Sequence, residues 1–142
     1  MNMEVKMKIE LHHINLSSDK VNEMNDFYLN VMNLKTETKG LPVLEKNKGY
    51  SGDVAFVTDG KIQTHLSERD LNVGFKTGHI VNPLDKGHIA YRTDDLDAFK
   101  KHLDHLEINY SDWGETAVAG WKQIFFNDPD GNVIEVHQIN NK

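Results

Sequence analysis

From Lys8 to Leu16 the chain alternates, with Ile9, Leu11 and His13 on one side and Glu10, His12 and Ile14 on the other, which predicts a strand with two usable faces. On that reading His12 faces away from His13. Val21, Met24, Phe27, Tyr28, Val31 and Leu34 then recur at spacings of three and four and predict an amphipathic helix, its first amides capped by Ser18 or Asp19. The same two elements return in "GHIAYRTDDLDAF", residues 87 to 99. Placing His88 on His13 puts Ile89 on Ile14, Tyr91 on Leu16, Thr93 on Ser18, Asp94 on Asp19, Leu96 on Val21 and Phe99 on Met24. This second helix continues through Leu103 and Leu106, with Thr93 or Asp94 as its cap, so each helix has one apolar face to bury.

Each helix is followed by short strands. "DVAFVTDGKIQTHL" predicts a hairpin turning at Asp59-Gly60, and "WKQIFFNDPDGNVIEVHQ" predicts another whose turn uses Pro129 and Gly131. Each half therefore reads strand, helix, then strands ending in a hairpin. Such a repeat decides the fold class: α+β, with paired βαβββ modules in one domain over 1–142, a first module at 9–70, a connecting segment at 71–84 and a second module at 85–138. The Gly and Pro content of residues 67 to 86 breaks periodicity and predicts a connection that doubles as pocket wall, with Val73, Phe75 and Ile80 covering a ligand.

Composition narrows the chemistry. With 142 residues the chain is long enough to bury a core. A net charge of −6 without a long basic run argues against nucleic acid and anionic lipid, leaving a small-molecule substrate as the expected partner. There is no cysteine, so any metal must sit on nitrogen and oxygen. The stretch "MNMEVKMKIE" has neither a secretion nor a transit pattern and no span approaches membrane length, so a cytoplasmic location is expected.

The segments "HHINL" with "FYLNVMNL", "GHIAYRTDDLDAF" and "FFNDPDGNVIEV" together resemble the vicinal oxygen chelate superfamily, which includes glyoxalase I, methylmalonyl-CoA epimerase, extradiol dioxygenases and fosfomycin- and bleomycin-resistance proteins. The resemblance implies a curved, mostly antiparallel sheet of two half-barrels around a divalent metal, its ligands drawn from the first and last strand of each module. His13 and His88 match the first-strand positions, and Glu135 matches the last strand of the second module. For the first module, counting from the turn glycine selects Thr64, whereas alternation, with Ile62 and Leu66 turned to the helix, selects His65. Three imidazoles and a carboxylate suit Zn, Ni, Co, Fe(II) or Mn.

Other residues are weighed against this set. His79 reads as a loop residue because Pro83 follows and no helix does, and His102 and His105 read as a solvated helix face. His137 shares the face of Glu135 and reads equally as a residue that lines the pocket or supports a metal ligand and as a side chain that fills the barrel. Gln123, Trp121 and His137 are the expected substrate contacts, Trp113 is a candidate apolar wall, and Arg92 reads equally as an anchor for an acidic substrate or a surface residue.

By resemblance, the expected function is that of a metal-dependent, glyoxalase-like lyase or isomerase acting on a small carbonyl compound through a metal-stabilised enediolate, with Glu135 or His65 as the base. The alternatives are an extradiol-type Fe(II) dioxygenase using His13, His88 and Glu135, and a non-catalytic, ligand-sequestering resistance protein. The resemblance also implies a homodimer.

Overall fold

The computed structural model describes residues 7–140, so most of the stretch read for targeting signals lies outside the described residues. Strand β1 (Ile9–Ser18) leads into α1 (Val21–Asn30), β2 (Lys35–Thr36), β3 (Val54–Thr58) and β4 (Gln63–Glu68). A short helix, α2 (Val73–Thr77), precedes β5 (Gly87–Thr93), α3 (Leu96–His105), β6 (Ser111–Gly114), β7 (Trp121–Asn127) and β8 (Val133–Ile139). The strands form one curved, unclosed α+β sheet in the order β2-β3-β4-β1-β5-β8-β7-β6. In each half the last strand returns beside the first in parallel, β4 on β1 and β8 on β5, while the antiparallel β1–β5 pair joins the halves. The remaining pairs are antiparallel.

Across the mouth, the chain after β2 meets the chain after β6. Leu44 bridges Val118, the Glu45 amide donates to the Ala117 carbonyl (2.9 Å), and the Ala119 amide donates to the Val43 carbonyl (2.9 Å). The two halves thus enclose a space within one chain.

Both hairpins form at the turns the sequence indicated. Asp59 Oδ1 accepts the amides of Lys61 and Ile62, and Asp128 Oδ1 accepts those of Asp130 and Asn132. Gly87 is required at the seam between halves, since it sits at φ +129° with the Asn15 carbonyl pressed where a Cβ would be. On the convex side of the second half, Leu96 and Leu103 of α3 pack on Ile124 and Val136, with Phe99, Phe126 and Ile134 around them.

Neither helix is capped where the pattern indicated. Strand and turn together run one or two residues further, so Lys20 takes the N-cap of α1 without a side-chain bond, and Ser18 Oγ instead accepts the Lys20 amide (2.9 Å). In α3 the cap is Asp95, whose Oδ1 accepts from the Ala98 amide (3.0 Å), while Thr93 Oγ1 accepts from the Asp95 amide. Residues 73 to 77 are helical rather than irregular. Among the described residues no helix is long and apolar enough to cross a membrane.

Candidate functional site

The sheet register relates the two halves residue by residue. Asn15 and Ala90 each lie two positions beyond the repeated histidines; Asn15 pairs with His65 across β1–β4, and Ala90 pairs with Glu135 across β5–β8. His65 therefore occupies in the first half the position of Glu135 in the second, as side-chain alternation indicated, and Thr64 does not. All four side chains face the concave side and line one pocket.

Three of them converge. His13, His88 and Glu135 each offer a donor atom, and these atoms lie within 4.8 Å of one another. Glu135 Oε1 is 3.0 Å from His88 Nε2 and 3.6 Å from His13 Nε2. His88 Nδ1 lies 2.8 Å from the Pro83 carbonyl, which can only accept, so Nδ1 carries the proton and a neutral His88 turns a bare Nε2 to the carboxylate. Two lone-pair atoms at that separation call for a cation or a proton between them. His13 Nδ1 is bonded to His12 Nδ1 (2.8 Å), and with that proton on His13 its Nε2 is bare as well. The residues thus fit a divalent ion bound by two neutral imidazoles and a carboxylate.

His65 stands beside this group rather than in it. Its ring stacks on His13 with centroids 3.7 Å apart, and its Nε2 is 2.7 Å from Gln63 Oε1. The Gln63 amide nitrogen is occupied by the carbonyls of Lys39 (3.1 Å) and Gly40 (3.4 Å), so its oxygen faces His65 and His65 Nε2 is the donor. That leaves Nδ1 as the acceptor.

The other oxygen of Glu135 is held from behind. Oε2 accepts from His137 Nδ1 (2.7 Å) and Gln123 Nε2 (3.2 Å), and His137 Nε2 in turn accepts from Arg92 Nε (2.9 Å). Because Arg92 only donates and an ionised carboxylate only accepts, the imidazole between them has one possible tautomer. Trp121 stacks on the far side of His137 (4.2 Å), with the Arg92 guanidinium 5.0 Å from the indole centroid. His137 is fully buried and does not line the pocket; of its sequence readings, a supporting position behind Glu135 replaces contact with substrate.

Charge states follow from burial and partners. Burial pushes His13 down and His65 well down, and His12 falls to about 3 through burial and the neighbouring Arg92, so all three are neutral at pH 7. Burial alone would raise Glu135, but the imidazoles and the hydrogen bonds it accepts hold it well below the usual carboxylate range.

The pocket encloses about 80 Å³. Trp113, Trp121 and Phe125 form its aromatic wall and Gln123 lies among them. Two buried polar atoms of this wall have no partner among the described residues, Trp113 Nε1 and Gln123 Oε1. Pro83 and Leu84 of the connecting segment reach the pocket, and Val73 is buried beside them. Phe75 (91 % exposed) and Ile80 (97 %) do not cover a ligand: a helix turns Phe75 about 200° from Val73. His79 is a loop residue, stacked on Trp113 (4.5 Å), and His102 and His105 stay on the outer side of α3.

Two neighbours of the site differ from their sequence reading. A β-bulge between Leu11 and His13 makes His12 the extra residue, so it turns to the same side as His13 and meets Trp121 and His137 edge-on. Alternation cannot foresee a bulge. Arg92 is neither a surface residue nor a contact in the pocket, but a half-buried support for His137. Its signal was present, since Arg92 shares a strand face with His88 and Ala90.

A family model described as the Glyoxalase/Bleomycin resistance protein/Dioxygenase superfamily matches residues 10–136. The fold is similar to a hypothetical protein from Bacillus halodurans C-125 (16% identity, 95% of this chain and 97% of that one, TM-score 0.68). It is also similar to methylmalonyl-CoA epimerase from Mycobacterium tuberculosis (16%, 93% and 89%, TM-score 0.67). A Streptomyces coelicolor methylmalonyl-CoA epimerase variant in complex with 2-nitronate-propionyl-CoA matches at 18% identity over 94% and 98%, with a TM-score of 0.62.

Proposed function

Because the chain belongs to the glyoxalase/bleomycin resistance protein/dioxygenase superfamily, we propose that it is a metal-dependent lyase or isomerase that moves an α-proton of a small carbonyl compound through an enediolate. The observation that carries this reading is the division of labour at Glu135: one oxygen is shared with His13 and His88 while the other is fixed by His137 and Gln123. In this proposal His13, His88 and Glu135 hold the ion, which when bound supplies the charge that stabilises the enediolate. His65 is the proton carrier, because burial keeps it neutral and its Nε2 bond to Gln63 leaves Nδ1 free to accept. Two methylmalonyl-CoA epimerases share this fold. Deuterium uptake by a carbonyl substrate in heavy water under nitrogen tests the reading: His65→Ala should stop exchange while metal stays bound. Exchange undiminished in that variant would reject the assignment.

The three-donor group itself favours a second reading. Two histidines and one carboxylate are the donor set of non-haem Fe(II) oxygenases, and His65 lies outside it. An extradiol-type dioxygenase would form product only with oxygen, and would keep much of its activity in His65→Ala. Sequestration without chemistry is disfavoured by the hydrogen-bonded support behind Glu135. Small molecules are the proposed partners, and a homodimer is proposed as the assembly. The three-donor group is complete within one chain, so light scattering should find a dimer whose dissociation leaves metal binding intact.

A further inference from the structure

We propose that Gln63 is a positioning residue that ties His65 to the closing of the mouth: with the mouth shut, the Gln63 amide has one orientation, which holds the His65 proton on Nε2 and leaves Nδ1 bare. The coupling goes beyond the reading above, and only the use made of the bare nitrogen rests on it.

The mouth is the crossing of the chain after β2 with the chain after β6. Pro42 and Leu44 from one side and Ala117 and Val118 from the other line the pocket they cover. The enclosed volume of about 80 Å³ is far below the roughly 300 Å³ at which small-molecule sites begin. The strands cannot widen without breaking their ladders, whereas the crossing parts on loss of two hydrogen bonds, from the amides of Glu45 and Ala119. Gly40 and Gly120, at φ +62° and +76°, stand at the sheet-side ends of the two segments, where rotation has no Cβ to clear.

Gln63 lies between this crossing and His65. Its Nε2 donates to the carbonyls of Lys39 (3.1 Å) and Gly40 (3.4 Å), and its Oε1 is 2.7 Å from His65 Nε2. The reversed amide would set its oxygen against two carbonyls, so while the mouth is shut His65 has to donate from Nε2. Those two carbonyls belong to the peptide planes that meet at the Gly40 Cα. Rotation there turns one against the other, and they cannot both stay on one amide nitrogen. Once they leave, the amide is free to reverse and donate to His65 Nε2, and the imidazole proton, lost from Nε2 by exchange with water, is regained at Nδ1. Opening therefore covers the nitrogen that closing bares.

The test exploits the absence of cysteine. Leu44 and Val118 face each other as an antiparallel pair, a separation that a disulfide spans. Leu44→Cys with Val118→Cys, oxidised by glutathione disulfide, locks the mouth, and reduction releases it. Ring-nitrogen NMR at pH 8, without substrate, reads the His65 tautomer, its signals being assigned by their loss in His65→Ala. Locked, His65 should carry its proton on Nε2. Glu45→Pro with Ala119→Pro, which removes both amide donors, should raise the Nδ1–H form at least about fivefold over the locked protein. The reduced cysteine pair, one bond from the locked form, should change in the same direction and serves if the proline variant does not fold. Gln63→Ala should raise the Nδ1–H form as far even when locked. Acrylamide quenching of Trp113 and Trp121, which line the pocket, should fall on oxidation and recover on reduction. Equal tautomer ratios in locked and opened protein, a locked Gln63→Ala that keeps the proton on Nε2, a cysteine pair that does not oxidise, or quenching indifferent to the lock each overturns the proposal. If the coupling holds while His65→Ala leaves deuterium exchange undiminished, the proton-transfer reading falls and this one stands. If exchange needs His65 but its tautomer ignores the mouth, that reading stands and this one falls.

Discussion

The two halves of the sheet superimpose in register and diverge in chemistry. At the same position the first half places His65, a neutral imidazole, and the second places Glu135, an ionised carboxylate. Their helices diverge as well. Helix α3 has a bonded N-cap at Asp95 and buries Leu96 and Leu103, whereas α1 has Lys20 at its N-cap and buries Val21 alone, with Phe27 47 % exposed. A repeat therefore preserves where side chains point more faithfully than what they do. The backbone ladder sets direction, while each site's chemistry depends on neighbours that the halves do not share.

The largest expected effect separates the two equivalent positions. Glu135→Gln should lower divalent-metal affinity by at least about a hundredfold, because an amide neither balances the ion's charge nor satisfies His137 in the same way, while His65→Ala should cost about tenfold or less. Calorimetric titration of zinc into both variants measures the gap, and equal losses would make His65 a full ligand and erase the asymmetry.

A second contrast concerns packing. Leu103→Ala in α3 should destabilise the fold by about 2–5 kcal/mol, and Phe27→Ala in α1 by under about 1 kcal/mol, since one side chain leaves a cavity and the other lies at the surface. Urea unfolding of the two variants checks the ranking. If Phe27→Ala matched Leu103→Ala, α1 would be covered in solution, as by a second copy of the chain.

Behind His65 stands Gln63, tied to the carbonyls of Lys39 and Gly40, whereas the support behind Glu135 ends on a cation, and Arg92→Met isolates it. Losing the donor to His137 should reduce metal affinity by about tenfold with little change in the unfolding midpoint. A fall in stability with unchanged affinity would make Arg92 a packing residue.

The smallest effect is a pH dependence. His12, His13 and His65 titrate below 6.5 when folded, so on acidification the unfolded chain takes up protons first, and stability falls as pH drops below about 6.5. Glu135, held below its ordinary 4.5, adds a loss in the same direction at lower pH. Thermal unfolding between neutral and mildly acidic pH should show this decline, and His65→Phe should flatten it. A midpoint rising on acidification would mean that the imidazoles are buried in their charged form.

Much of this was legible in the chain because periodicity is local. The alternation in β7 and β8 separated Ile124, Val136 and their helix from Gln123 and Glu135, and the recurrence of His13 at His88 marked the two first strands before any contact was known. The same alternation placed His65 opposite Glu135. What alternation could not contain was decided by tertiary pairing. The bulge at His12 exists only because β1 must satisfy β5, and the tautomer of His88 is set by the Pro83 carbonyl from the connecting segment. Whether Arg92 is exposed or buried depends on His137, which lies 45 residues away. The sequence alone determined which residues share a face wherever a strand runs without a bulge, since strand geometry repeats every two residues. Only the folded structure decided which atoms of those residues meet, because hydrogen bonds of this kind join segments that no local pattern connects.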